Sequence, residues 1–198
     1  MIVLASRSPQ RRSLLRALGV DHRVVASQYP EDTPEGMTDP GRIVAYHAAM
    51  KAADVAERGT VHAGGAVLGA DTAVVTGDLV LGKPADRDDA ARMLALLSGR
   101  THRVATAIHL ITADGAVRAA VDWTRVTVRD IHPGLRDWYL DRHEWEGRAG
   151  AYAIQGSGAG LVERIDGDVT TVIGLPVAAL SRVLEDAGLA PWGAPPRD

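Results

Sequence analysis

Residues 1–19 read MIVLASRSPQRRSLLRALG, and this stretch decides the fold class. Ile2–Ala5 is a short apolar run that reads as a buried strand. Ser8 then offers an N-cap, Pro9 suits the first helical position, Leu14, Leu15 and Leu18 share one face, and Gly19 follows the helix end. A strand feeding straight into a helix predicts an α/β chain with helices packed on a sheet. The apolar run is far too short for a signal segment or a membrane span, so the expected location is the cytoplasm.

Working outward, His22–Ala26 reads as a second strand and Ser27–Pro40, rich in Pro, Asp, Glu and Thr, as a loop. From Ile43 to Arg58 the spacing is helical, and Lys51 lies on the apolar stripe of Val44, Ala48 and Val55. Ala66–Ala70 and Thr72–Thr76 read as strand pieces interrupted by Asp71, and Gly77-Asp78 predicts a hairpin turn into Leu79–Leu81. Asp86 caps a helix through Met93, Leu94 and Leu97 that Gly99 closes, and Thr101–Thr112 with Val117–Arg129 forms a long hairpin around Asp114-Gly115. Pro133–Arg142 reads as a helix, Ala149–Ile165 as Gly-rich with short strand-like pieces, and Pro176–Ala187 as a terminal helix. With no repeat and no linker, residues 1–190 form one domain, in one body or two lobes around a cleft, and 191–198 a frayed, flexible tail.

Composition narrows the function classes. At 198 residues and 46% hydrophobic content, the chain buries about 70% of its unfolded surface and needs no covalent staple. Cysteine is absent, which excludes disulfides, thiolate zinc, iron–sulfur clusters and cysteine nucleophiles. A net charge of −3 supplies no global attraction to nucleic acid or anionic membrane. Phe is absent as well, so the core must rely on Ala, Val, Leu and Ile.

Gly77 to Lys83 has the spacing of a phosphate-binding loop, but Pro84 stands where a Ser or Thr hydroxyl and a backbone N–H are needed. Lys83 itself reads either as a cation fixed at a strand end or as a solvated lysine in a turn. The histidines have no metal-ligand spacing, and no G-x-S-x-G elbow exposes a serine nucleophile.

What remains is a set of groups suited to phosphate. Ser8 lies at a helix N-terminus with Arg11 and Arg12 in the first turn, where basic residues oppose the helix dipole unless an anion is bound. Ser8 serves equally well as a plain N-cap, and Lys51 as a snorkelling surface lysine. Glu31, Asp32, Asp71, Glu144 and Glu146 are carboxylates of the kind that hold hard divalent cations beside substrate phosphates. Asp71 stands out, since a charge among apolar strand residues is costly unless used or paired; the alternative is a cap on a local turn.

These pieces fall in a telling order: Leu4-Ala-Ser-Arg-Ser8-Pro-Gln-Arg-Arg12, Lys51-Ala52, Leu68-Gly-Ala-Asp71-Thr72, Gly82-Lys83-Pro84, Leu97-Ser-Gly99, Ala149-Gly-Ala-Tyr-Ala-Ile-Gln155-Gly156 and Val172-Ile-Gly-Leu-Pro176. Together they resemble the Maf family across residues 2–187. The resemblance implies an elongated mixed sheet flanked by helices around a deep cleft, similar to the inosine-triphosphatase fold, with dimers frequent. It implies a nucleoside-triphosphate pyrophosphatase that clears unwanted nucleotides and depends on a divalent metal, Mg2+, Mn2+ or Co2+. Asp71 would be the general base and, with Glu31, a metal ligand. Lys51 and Lys83 would be the catalytic lysines, and Ser8 and Arg11 the phosphate contacts. Gln10, Thr72 and Gln155 fall at positions that bear on base choice. Thr72 and Gln155 match the dTTP/UTP branch, whereas Gln10 stands where that branch usually has Arg.

Water attack on the α-phosphorus of so charged a substrate requires neutralisation first, which the metal, Lys51, Lys83 and Arg11 would supply, with Asp71 orienting or deprotonating the water. Two rival readings are a non-catalytic nucleotide-binding regulator of septum formation and a nucleic-acid binder using the basic first turn. Retention of Asp71, Lys51 and Lys83 weighs against the first, and the net charge and lack of a basic, aromatic stripe against the second.

Overall fold

A computed structural model describes residues 1–193. Its elements run β1 (Ile2–Leu4), α1 (Pro9–Ala17), β2 (His22–Val24), α2 (Pro40–Glu57), β3 (Ala66–Thr76), β4 (Leu79–Leu81), α3 (Arg87–Leu97), β5 (Thr101–Thr112), β6 (Val117–Val128), α4 (Pro133–Leu140), β7 (Val162–Asp166), α5 (Val169–Ile173) and α6 (Val177–Asp186). Short 3-10 turns occupy Ala149–Ala151 and Gly156–Leu161. The strands pair in the order β2-β1-β3-β5-β6-β7, with β4 on β3, giving a mixed sheet of seven strands flanked by helices.

The caps read from the sequence at Ser8 and Asp86 are present, Ser8 accepting from the Arg11 amide and Asp86 from Asp89. A third, Asp39, accepts from Arg42 and starts α2 at Pro40, earlier than the expected Ile43, and each cap satisfies a donor that its helix leaves unpaired. One expectation fails: Asp71 does not interrupt a strand. β3 runs unbroken from Ala66 to Thr76, because its backbone keeps the ladder while the side chain finds a partner in α2. The short helix α5 escaped the sequence reading, since VTTVI is β-branched and opposes helix propensity.

The chain divides into two compact units. Of the described residues, the first holds Met1–Asp71, Thr106–Asp122 and 174–193. In it β1 pairs in parallel with both β2 and β3, Ile2 lying opposite His22 and Ala66. The connection through α1 leads to one side of β1 and the connection through α2 returns to the other, so right-handed crossovers put the two helices on opposite faces. Side-chain packing agrees. Leu15 of α1 and Leu180 and Leu184 of α6 bury against Ile2, Leu4, Leu68 and Ala70, while Ala52 and Val55 of α2 bury against Val3, Ala5 and Val67.

The second unit holds Thr72–Ala105 and Trp123–Ile173. Its core gathers Val74, Leu81, Met93, Leu94, Leu97, Tyr139, Trp145, Tyr152 and Leu161. β4 folds back on β3 in antiparallel register, Val75 facing Val80, through the turn at Gly77-Asp78. Residues 82–84 leave this hairpin, so the phosphate-loop spacing has no helix behind it. Of the expected tail 191–198, residues 194–198 lie outside the described residues. Trp192 is anchored, its indole N–H donating to Glu185 at 2.7 Å.

Candidate active site

The connections reverse direction between β1 and β3, and in open α/β sheets the carboxyl end of the strands at such a switch point is where ligands bind. β1 ends at Leu4, and the chain goes on through Ser6 and Ser8 into α1. β3 continues past that end, which brings Ala70 and Asp71 beside the same opening.

Alternation along β3 sends Val67, Gly69 and Asp71 to the α2 face, and Leu68 and Ala70 to the other. Gly69 is what lets α2 come close. A Cβ there would lie 2.8 Å from the Ala52 amide nitrogen. Lys51, on the buried stripe of α2, therefore reaches Asp71. Its Nζ donates to Asp71 Oδ1 at 2.6 Å and meets Glu31 Oε1 at 2.8 Å. The Lys51 side chain is 9% exposed, Asp71 17% and Glu31 46%. An ammonium buried this far is tolerated because two carboxylates share it. Glu31 approaches from the loop between β2 and α2 with a backbone φ of +64°.

Arg11 closes the other side. It is buried, its Nε donating to the Gly174 carbonyl at 2.7 Å and one terminal nitrogen to Ser6 Oγ at 3.1 Å and the Ala70 carbonyl at 2.9 Å. Burial pulls its pKa down from the usual value, and Asp71 and Glu31 push it back up. The expectation of a phosphate contact meets a guanidinium that already braces three parts of the first unit. Ser8 Oγ donates to Gln10 Oε1 at 3.1 Å and also accepts from the Arg11 amide, so the serine both caps the helix and orients Gln10.

The structure thus brings Ser8, Gln10, Arg11, Glu31, Lys51 and Asp71 together within the first unit. Thr72, Lys83 and Gln155 belong to the second. Lys83 is exposed, with no side-chain partner among the described residues, and Gln155 is exposed at the start of the 156–161 turn. Glu144 turns out to be committed: it accepts from the Ser157 amide at 2.9 Å and the Gly158 amide at 3.4 Å, holding the turn that follows Gln155. Glu146 pairs with His143 at 2.9 Å. These two loop carboxylates therefore have structural partners.

No cluster of three or more metal-capable side chains exists among the described residues. The donor set fits a hard divalent cation all the same, since such an ion takes one or two carboxylates and completes its shell with water and phosphate oxygens. Glu31 and Asp71, which converge on one ammonium, could supply such a pair.

Sequence reasoning missed Gly69, Ser6 and His47. Gly69 carried a legible signal as a glycine inside an apolar strand, which marks close backbone approach. His47 sits one turn before Lys51 on the buried stripe, a polar residue where an apolar one is expected.

The family model described as Maf-like protein matches residues 1–187. A dTTP/UTP pyrophosphatase of Acetivibrio thermocellus is 43% identical over 194 residues, covering 96% of each chain. One from Bordetella parapertussis is 42% identical over 197 residues, covering 96% of this chain and 93% of its own. Among solved structures, a HAM1 protein from Coxiella burnetii is 17% identical with a TM-score of 0.42, covering 81% of this chain and 90% of its own.

Proposed function

The chain belongs to the Maf-like family, and on that premise we propose that it hydrolyses nucleoside triphosphates, dTTP and UTP foremost, to the monophosphate and pyrophosphate. The observation that carries the reading is the buried Lys51 ammonium shared by Asp71 and Glu31 at the carboxyl end of β1. Relatives more than 40% identical over nearly the whole chain bear the name of that activity.

The chemistry follows from the donors present. Water attacks the α-phosphorus, the bond from that phosphorus to the α,β-bridging oxygen breaks, and pyrophosphate leaves. Lys51 engages Oδ1 of Asp71, so Oδ2 is the oxygen that orients the water and takes its proton. Glu31 and Asp71 would hold a divalent cation, Mg2+ or Mn2+, which when bound supplies charge neutralisation on the triphosphate. Lys51 and Lys83 oppose the charge that builds on the phosphates, and the positive end of the α1 dipole at Ser8 adds to them. Arg11 acts as a brace, and Gln10, Thr72 and Gln155 as contacts for the base.

Product analysis tests this reading. Purified protein incubated with UTP and magnesium should yield UMP and pyrophosphate, and EDTA should stop it. UDP and orthophosphate as first products, or turnover unaffected by EDTA, would overturn it.

A further inference from the structure

Glu31 lies in a loop segment whose flanking residues bond to one buried side chain. Its backbone lies in the left-handed region, which side-chain-bearing residues avoid, and its carboxylate is nearly half exposed, yet it reaches Lys51 at 2.8 Å. The residues two before and two after it are both fixed by one ring. His47, 5% exposed on α2, bonds Tyr29 Oη through Nδ1 at 3.2 Å and Thr33 Oγ1 through Nε2 at 2.9 Å.

Proton accounting gives these bonds a direction. The Tyr29 hydroxyl has one proton and donates it to the Asp32 carbonyl at 2.7 Å, so it accepts from His47 Nδ1–H. In the neutral ring Nε2 is then the acceptor, and the Thr33 hydroxyl donates to it. Tyr46 packs against both rings, its centroid 6.4 Å from Tyr29 and 5.7 Å from His47. One turn of α2 separates His47 from Lys51. A single helix face therefore carries the ammonium that engages Glu31 and the imidazole that grips the chain on either side of it. We propose that His47 is a positioning residue that sets the Glu31 carboxylate against Lys51. Its kinetic consequence rests on the pyrophosphatase reading; the clamp itself does not.

The test combines a mutant cycle with a spectrum. His47→Leu fills the space without either bond and is expected to lower kcat about tenfold, while the same change placed on Glu31→Gln adds less than about twofold. Equal factors in both backgrounds, or wild-type kcat in His47→Leu, would overturn the proposal. Tyr29→Phe and Thr33→Val each remove one bond from the loop side and guard against a misfolded His47 variant. Each is expected to lower kcat about threefold, and wild-type kcat in both overturns the proposal. Long-range proton–nitrogen NMR is expected to find the neutral His47 ring protonated on Nδ1, a preference that Tyr29→Phe abolishes. A ring protonated on Nε2 in the unaltered protein overturns the clamp. If the unaltered protein releases no pyrophosphate, the activity reading fails and this spectrum still decides the clamp.

Discussion

A Cβ built on Gly69 would stand 2.1 Å from the carbonyl oxygen of Ala48, so the backbone of α2 lies directly on β3. That approach, one strand repeat before Asp71 and one helical turn before Lys51, makes the 2.6 Å pair geometrically possible.

Gly69→Ala should therefore lever α2 away from β3. The obstructing atoms belong to backbone and cannot swing aside, so a loss of about 1–3 kcal/mol is expected, together with a fall in kcat/KM. Urea denaturation beside steady-state kinetics measures both. A variant as stable as the parent would show that the two elements slide freely.

Asp71→Asn should abolish most turnover, by about two to four orders of magnitude, while the fold survives. Lys51 keeps Glu31 as a partner in that variant, so the buried ammonium is not stranded. Melting curves near the parent's with residual pyrophosphate release are the expected pair of results. The reverse pair would mean that Asp71 serves stability alone.

Arg11→Lys discriminates bracing from substrate contact. Lysine cannot span the Gly174, Ala70 and Ser6 oxygens at once, so stability should drop by about 2–4 kcal/mol. A rise in KM with unchanged denaturation would return the residue to phosphate binding.

Acid should weaken the second unit through His102. Burial holds this imidazole down to about 4, against an ordinary 6.5. Nε2 is bonded to the Tyr152 hydroxyl at 2.8 Å, and Nδ1 has no partner among the described residues. The unfolded chain takes up a proton below about pH 6.5 that the folded chain resists until about pH 4. Stability present above the first value is therefore lost on the way to the second, by roughly 3 kcal/mol. His102→Gln should flatten that part of a stability–pH profile from urea titrations; an unchanged slope would assign the acid sensitivity elsewhere.

Gln10→Arg tests base choice. In the parent, the Gln10 side-chain carbonyl accepts a hydrogen bond from the Ser8 hydroxyl at the helix start, and a guanidinium in its place would add a fixed charge. Preference for UTP and dTTP over CTP should sharpen, by up to about tenfold for one good contact. A parent enzyme that already favours CTP or 7-methyl-GTP over UTP by more than about tenfold would rule out the pyrimidine assignment made from Thr72 and Gln155.

Local signals made much of this architecture legible. The caps at Ser8 and Asp86 and the turn at Gly77-Asp78 depend on short-range chemistry and fell where the sequence put them. Lys51 was conspicuous because a charge on an apolar stripe needs a partner. What the sequence could not display was the identity of that partner, since Glu31, Lys51 and Asp71 meet only through the crossover of α2. The bracing contacts of Arg11 were hidden for a similar reason. Its three acceptors are a hydroxyl and two carbonyls, and two of these lie 59 and 163 residues away.

Arg11, Lys51, Asp71 and Glu31 also form a group whose formal charges cancel, a property with consequences beyond the distances themselves. These four side chains by themselves cast little field into the solvent and do not draw in a distant nucleotide. Encounter with a polyanion must then owe its ionic-strength dependence to peripheral cations such as the exposed Arg7 and Arg12. Association rate, set by these peripheral arginines, and the chemical step at Asp71 therefore respond to different side chains, and salt is the variable that separates them.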